Sequence, residues 1–138
     1  MIEIAEEPIY DSIQTVNYDD MIKKCQKILN MLRKNKNSWP FRDPVDPISM
    51  GIPHYRDIIT NPMDLRTVGE NLLLNKYSTI SQFYADIQLI INNSYTFNKN
   101  NAQFCALTSL FLLKSWSFRR LLFEHGYFGS VCDNWLSF

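Results

Sequence analysis

Metal and redox chemistry has little to work with in this sequence. Three cysteines (Cys25, Cys105, Cys132) and two histidines (His54, His125) occur in 138 residues, with no CxxC pair and no zinc-ligand spacing. No metal and no other cofactor is therefore expected, and the cysteines read as reduced, small core residues. Long hydrophobic runs are missing as well. None approaches the roughly 18 residues that span a bilayer, and the acidic start lacks the basic opening and apolar stretch of a secretory signal. An intracellular chain without a membrane partner is expected. Internal repeats and low-complexity segments are absent. No nucleophile motif or orienting group accompanies Cys105, Cys132 or His125, and Asp64 and Asp86 suggest no shared cleft, so catalysis is not expected.

Net charge is also lacking, with 14 basic against 14 acidic residues, but its distribution is uneven. Residues 1–20 carry six acidic groups and no basic one, and residues 21–37 carry six basic groups and no acidic one. The basic block reads as the solvated face of a helix. It has no interleaved aromatics on which bases would stack, so direct nucleic-acid binding is not expected.

What the chain does have is an unusual loop. Five of its six prolines fall between Trp39 and Leu65, in WPFRDPVDPISMGIPHYRDIITNPMDL. Each bars helix at its own position and pushes the preceding residue toward extended backbone. Helix connections in bundles usually take about 2 to 8 residues, so one of roughly 25 residues implies a task. Its apolar content, from Trp39 and Phe41 to Ile58 and Ile59, is too high for a solvated linker.

Helical periods flank this loop. Met21, Cys25, Ile28, Leu29 and Leu32 predict a first helix from about Tyr18 to Asn37, with Lys23, Lys24, Lys27 and Arg33 off its buried stripe. Asp64 predicts the cap of a short second helix carrying Leu65, Val68 and Leu72, ended by Asn75 and Lys76. TISQ at Thr79–Gln82 reads as a capping box, opening a third helix with Ile80, Phe83, Ile87, Ile90, Ile91 and Ser94 inward. After the Asn-rich turn FNKNN, a fourth helix capped by Asn101 presents Phe104, Leu107, Phe111, Phe118 and Leu122. The predicted organisation is an extension over residues 1–17, a helical bundle over 18–124 and an aromatic tail over 125–138 that either packs back on the bundle, the favoured reading, or belongs to a neighbouring unit.

WPF (Trp39–Phe41), PVDP (Pro44–Pro47), GIPHYRDII (Gly51–Ile59), NPMDL (Asn61–Leu65), Tyr77 and NNSYTFN ending at Asn98 occur in order. Together they resemble a bromodomain, the module that recognises acetylated lysine. The similarity covers about residues 20 to 123. It implies an all-α, left-handed four-helix bundle with a long loop between helices 1 and 2 and a short one between helices 3 and 4. It also implies a non-catalytic, monomeric reader within a larger nuclear protein, binding an acetylated histone tail or other acetylated protein and coupling the mark to chromatin or transcription regulation.

The physical logic of such a site stands beside the resemblance. Burying a lysine ammonium in an apolar slot without a counter-charge costs several kcal/mol even after relaxation. Acetylation replaces it with a neutral amide whose carbonyl still needs a donor, at a cost of roughly 1–3 kcal/mol if it finds none. Asn98 matches the family's asparagine, which supplies that donor; a carboxylate there would not. Tyr55 matches the tyrosine that reaches the carbonyl through an ordered water, and Val45 with Phe41 the wall around the acetyl methyl. Trp39 and Pro40 resemble the shelf beside the entrance, and Met50 and Ile52 the long-loop lining. Phe104 matches the gatekeeper that narrows the mouth. Phe97 stands where a tyrosine is common, and Lys99–Asn101 lacks the proline often found after the asparagine. Read alone, Asn98 is a helix-ending residue, and Asp43 and Asp46 read equally well as loop caps or as attractors of a basic tail. A bundle that keeps the fold without ligand binding is the competing reading.

Overall fold

The computed structural model describes residues 9–124, with side chains described over residues 18–117. The expected aromatic tail, residues 125–138, the side chains of Phe118 and Leu122, and His125 and Cys132 lie outside these. Among the described residues there are five α-helices: α1 (Ile9–Lys34), α2 (Tyr55–Ile58), α3 (Leu65–Leu73), α4 (Ile80–Phe97) and α5 (Ala102–Glu124). The four longer ones form the bundle. The single-turn α2 and a 3-10 turn at Trp39–Phe41 belong to the long loop between α1 and α3. No helix in this range is long and apolar enough to cross a membrane.

The capping chemistry sets the element boundaries. The Asp64 carboxylate accepts from Thr67 N (3.0 Å) and from the Thr67 hydroxyl (2.6 Å), starting α3. Asn75 follows that helix in the left-handed region at φ 53°, which asparagine tolerates better than most residues. Thr79 Oγ1 accepts from Gln82 N (3.3 Å), while Gln82 Oε1 reaches back to Ser78 N (2.6 Å), one residue earlier than an ideal reciprocal box. Asn101 Oδ1 accepts from Phe104 N (3.0 Å) and starts α5.

Two expectations for α1 need correction. The helix begins at Ile9, so it takes in half of the stretch read as an extension, and it ends at Lys34 rather than Asn37. Ile9, Ile13 and Val16 do keep a helical spacing that extends the period toward the N-terminus. Arg33 also leaves the solvated face: its Nη2 donates to Leu65 O (3.1 Å), joining α1 to α3. Gly69 makes this approach possible, because a Cβ there would collide with Arg33 Nη2 and sit 3.2 Å from Leu29 Cδ2. Elsewhere the basic block behaves as expected, with Lys24 paired to Asp20 one turn away (3.2 Å).

The core is the merged apolar stripe of all four long helices. Cys25, Leu32, Leu65, Val68, Phe83 and Phe111 are fully enclosed. Tyr77, in the α3–α4 connection, buries its ring against Phe83 and donates its hydroxyl to Asp86 Oδ2 (2.6 Å).

Burial gives this core an alkaline limit. It pushes the Cys25 thiol up from 9.0 to about 12, and burial together with the Asp86 hydrogen bond raises Tyr77 as well. Between the unfolded and folded pKa values the folded state holds the extra proton, so stability falls as pH rises. Stability is expected to be insensitive to Cys25 below pH 9 and to decline above it with a slope approaching about 1.4 kcal/mol per pH unit. Denaturant melts of Cys25→Ala across this range should start from lower stability but slope less steeply. An unchanged slope would mean the thiol is not the titrating group.

Candidate functional site

The long loop is tied down before it reaches the site. The Ser38 hydroxyl donates to Asn35 O (2.7 Å) and itself accepts from Arg42 Nε (3.0 Å), while Arg42 Nη2 donates to Asn35 O (3.0 Å). These bonds anchor the loop's start on the carbonyl-rich end of α1. The backbone bond from Arg66 N to Arg42 O (3.0 Å) holds the same segment against α3. At its far end, Asn93 Nδ2 on α4 donates to Asn61 O (2.9 Å). The Asp46 carboxylate caps the turn after it, accepting from Ser49 N (3.3 Å) and Ile48 N (3.2 Å); the Ser49 bonds hold it below the usual carboxylate range.

Between these anchors the loop and the α4–α5 end enclose a cavity of about 440 Å³. All ten residues singled out from the sequence line it: Trp39, Pro40, Phe41, Val45, Met50, Ile52, Tyr55, Phe97, Asn98 and Phe104. Asp43, Met63, Ile90, Asn93, Ser94 and Asn101 line it too and were not expected there. Ile90 and Ser94 had been read as core, and they serve both purposes because the α4 stripe continues into the cavity wall. Asn93 carries no periodic signal that would reveal its place.

Asn98 ends α4 and is fixed from three directions. Its backbone N–H donates to Ser94 O (2.9 Å), and its carbonyl accepts from Asn101 N (2.8 Å) and Cys105 Sγ (3.2 Å). Its Nδ2 donates to Ser94 O (3.0 Å). A second, longer contact runs from Nδ2 to Ser94 Oγ (3.4 Å), so Ser94 takes both protein bonds of the amide nitrogen; the weaker of them can be exchanged for a ligand acceptor, and no protein donor is bonded to Oδ1 among the described residues. Beneath it, the Ser94 and Thr108 hydroxyls bond (2.8 Å) in full burial, and Thr108 Oγ1 donates to Phe104 O (2.8 Å). The short loop closes through asparagine chemistry, in the place of the missing proline.

Aromatic rings make the walls. Phe41 is 5% exposed and its ring lies 4.7 Å from that of Phe111. Tyr55 meets Phe97 edge-on at 4.8 Å, and its hydroxyl has no protein partner among the described residues. Desolvation raises the Tyr55 pKa, so at neutral pH this group is a protonated donor. Trp39 is 60% exposed and stands edge-on to Phe104 at 6.3 Å, forming one lip of the mouth. Asp43 is on the rim, paired with Arg66 (3.4 Å). Among the described residues, no group of His, Cys, Asp or Glu is arranged to hold a metal ion.

The family model described as Bromodomain matches residues 25–110, a range containing every residue of this cavity. The chain belongs to the bromodomain family. At the family level this is a non-catalytic module that reads acetyl-lysine. This bromodomain is 42% identical over 84 residues to Transcription factor GTE10 of Arabidopsis thaliana, covering 61% of the chain and 8% of that protein. It is 47% identical over 79 residues to Bromodomain-containing factor 2 of Saccharomyces cerevisiae, covering 55% and 12%. It is 42% identical over 76 residues to SWR1 complex bromodomain subunit bdf1 of Schizosaccharomyces pombe, covering 55% and 13%. The chain therefore matches only a small part of each relative.

Proposed function

We infer that this bromodomain binds acetylated lysine in a flexible protein tail, a histone tail foremost, and so couples the mark to chromatin or transcription regulation in the nucleus. The observation that carries this reading is the Asn98 carboxamide at an apolar cavity, its Nδ2 bonded to Ser94 alone and by one of its two contacts only at 3.4 Å. An acetyl-lysine amide needs that donor for its carbonyl and an apolar enclosure for its methyl and methylene groups. Phe41, Val45, Ile52 and Phe104 supply the enclosure. The hydroxyl of Tyr55, which lines the same space and has no protein partner among the described residues, is suited to bind a water that bridges to the carbonyl. Relatives named as a transcription factor and as a subunit of the SWR1 complex support the chromatin setting.

The cavity holds few ligand atoms and the peptide must be ordered, so affinity is expected in the micromolar range or weaker. Discrimination is expected to be large, because an unmodified lysine would carry its charge into an apolar space with no carboxylate free to receive it. Calorimetry with matched histone-tail peptides should give binding for the acetylated form and at least ~100-fold weaker binding for the unmodified one. Equal affinity for the two would refute reading of the acetyl mark.

A further inference from the structure

Next to the cavity, and sharing only Phe97 with it, lies an open groove of about 670 Å³ between the α2 end of the long loop and the α4–α5 turn. Lys99, Asn100, Thr96 and His54 line it together with Phe97. Lys99 is the one formally charged side chain in this lining, and no carboxylate is present. Arg56 and Asp57, both on α2, lie outside it. The side chains of Lys99, Asn100, Thr96 and His54 make no hydrogen bond or ion pair among the described residues; the His54 ring rests 5.6 Å from that of Phe97. Tyr95, by contrast, has its hydroxyl engaged with Ser109 (2.7 Å). Four side chains with hydrogen-bond donors, uncommitted and uncompensated, thus face one concavity.

The acidic groups near the cavity are differently placed. Asp43 is paired with Arg66, and Asp46 is occupied by its own turn. Neither carboxylate lines the groove, so Lys99 meets no negative side chain within it. Lys99 follows Asn98 directly, so their Cα atoms are about 3.8 Å apart, while an extended peptide advances about 3.3 Å per residue. A peptide whose acetyl group sits on Asn98 brings its near neighbours over this groove whenever it leaves toward the short loop.

We propose that this groove is a subsite for an anionic side chain, a carboxylate or a phosphate, located one to three residues from the acetyl-lysine in the bound peptide. The proposal rests on acetyl-lysine reading at Asn98. It makes the module a reader of a two-part pattern, an acetylated lysine with a negative neighbour on one side.

Calorimetry with singly acetylated peptides tests this, with alanine, glutamate, phosphoserine or lysine placed in turn at the first three positions on either side. Glutamate or phosphoserine on one side is expected to bind about three- to tenfold tighter than alanine at low salt, with lysine weaker than alanine. The gain should shrink at high salt. A larger gain for phosphoserine assigns the groove to phosphate through its several donors; an equal gain assigns it to negative charge in general. Lys99→Glu should invert the preference while the alanine-flanked peptide binds within about twofold of the unmodified protein. Affinity indifferent to flanking charge, or a preference that survives Lys99→Glu, overturns the proposal. So does an oligonucleotide that binds through Lys99 without any peptide preference. Failure of acetyl-lysine reading looks different, since no acetylated peptide would then bind.

Discussion

Asn98→Asp is expected to abolish measurable acetyl-lysine binding, a loss of at least ~100-fold, while the bundle stays folded. The substitution conserves shape and replaces the donating NH2 with a second acceptor oxygen. The acetyl carbonyl then meets a negative oxygen instead of an N–H. The unsatisfied carbonyl alone costs about 1–3 kcal/mol, and desolvating the new carboxylate against an apolar wall adds to that. The same oxygen would face Ser94 O, now an acceptor opposite an acceptor. A negative charge at the C-terminal end of α4 also opposes the helix dipole, by roughly 0.3–1 kcal/mol. A melting temperature only a few degrees lower is therefore expected. Asn98→Ala removes the donor without adding charge and leaves room for water, so a smaller loss of ~10- to 100-fold is expected. Titrating both variants with the same acetylated peptide orders the effects. Retained affinity in Asn98→Asp would mean that the carbonyl is satisfied elsewhere.

Much of this site was legible in the sequence because the signals are local. Prolines exclude helix where they stand, and caps act over three residues, so the loop's extent and the starts of α3, α4 and α5 follow from adjacent side chains. The gathering of ten separated residues around one cavity is not local, and it was reached through a family resemblance rather than through periodicity. What was missed depends on tertiary geometry. The start of α1 is poorly marked because the short run Ile9, Ile13 and Val16 stands apart from the main apolar stripe that begins at Met21. Ser38 and Arg42 carry no pattern in the sequence, standing on either side of Trp39–Phe41, although together they fasten the loop to α1. Thr108 and Ser115 are buried polar residues on a helix whose apolar spacing pointed to other positions, and each is tolerated because its hydroxyl bonds to a carbonyl three or four residues earlier. Arg33 was assigned to solvent by helix angle, but Gly69 across the interface draws it to Leu65 O.

The second large effect concerns how the cavity is held from below. Phe111 on α5 is completely buried and tilts against Phe41, which is at once the end of the 3-10 turn and part of the cavity wall. Phe111→Ala is expected to cost about 3–5 kcal/mol of stability, a large share of the roughly 5–15 kcal/mol typical of a domain. It should also weaken acetyl-lysine binding several-fold per folded molecule, because Phe41 loses its backing and can sink into the vacated space. Phe83→Ala is the matched control. Phe83 is equally buried but packs on Tyr77 and Tyr84, and it does not line the cavity. Its loss should lower stability by a similar amount and leave affinity unchanged when binding is measured well below both melting points. If wall and core are mechanically joined at Phe41, the two variants separate on affinity while agreeing on stability. If Phe111→Ala binds the acetylated peptide as tightly as the parent chain does, the pinned loop alone keeps Phe41 in place and the core beneath it contributes only to folding.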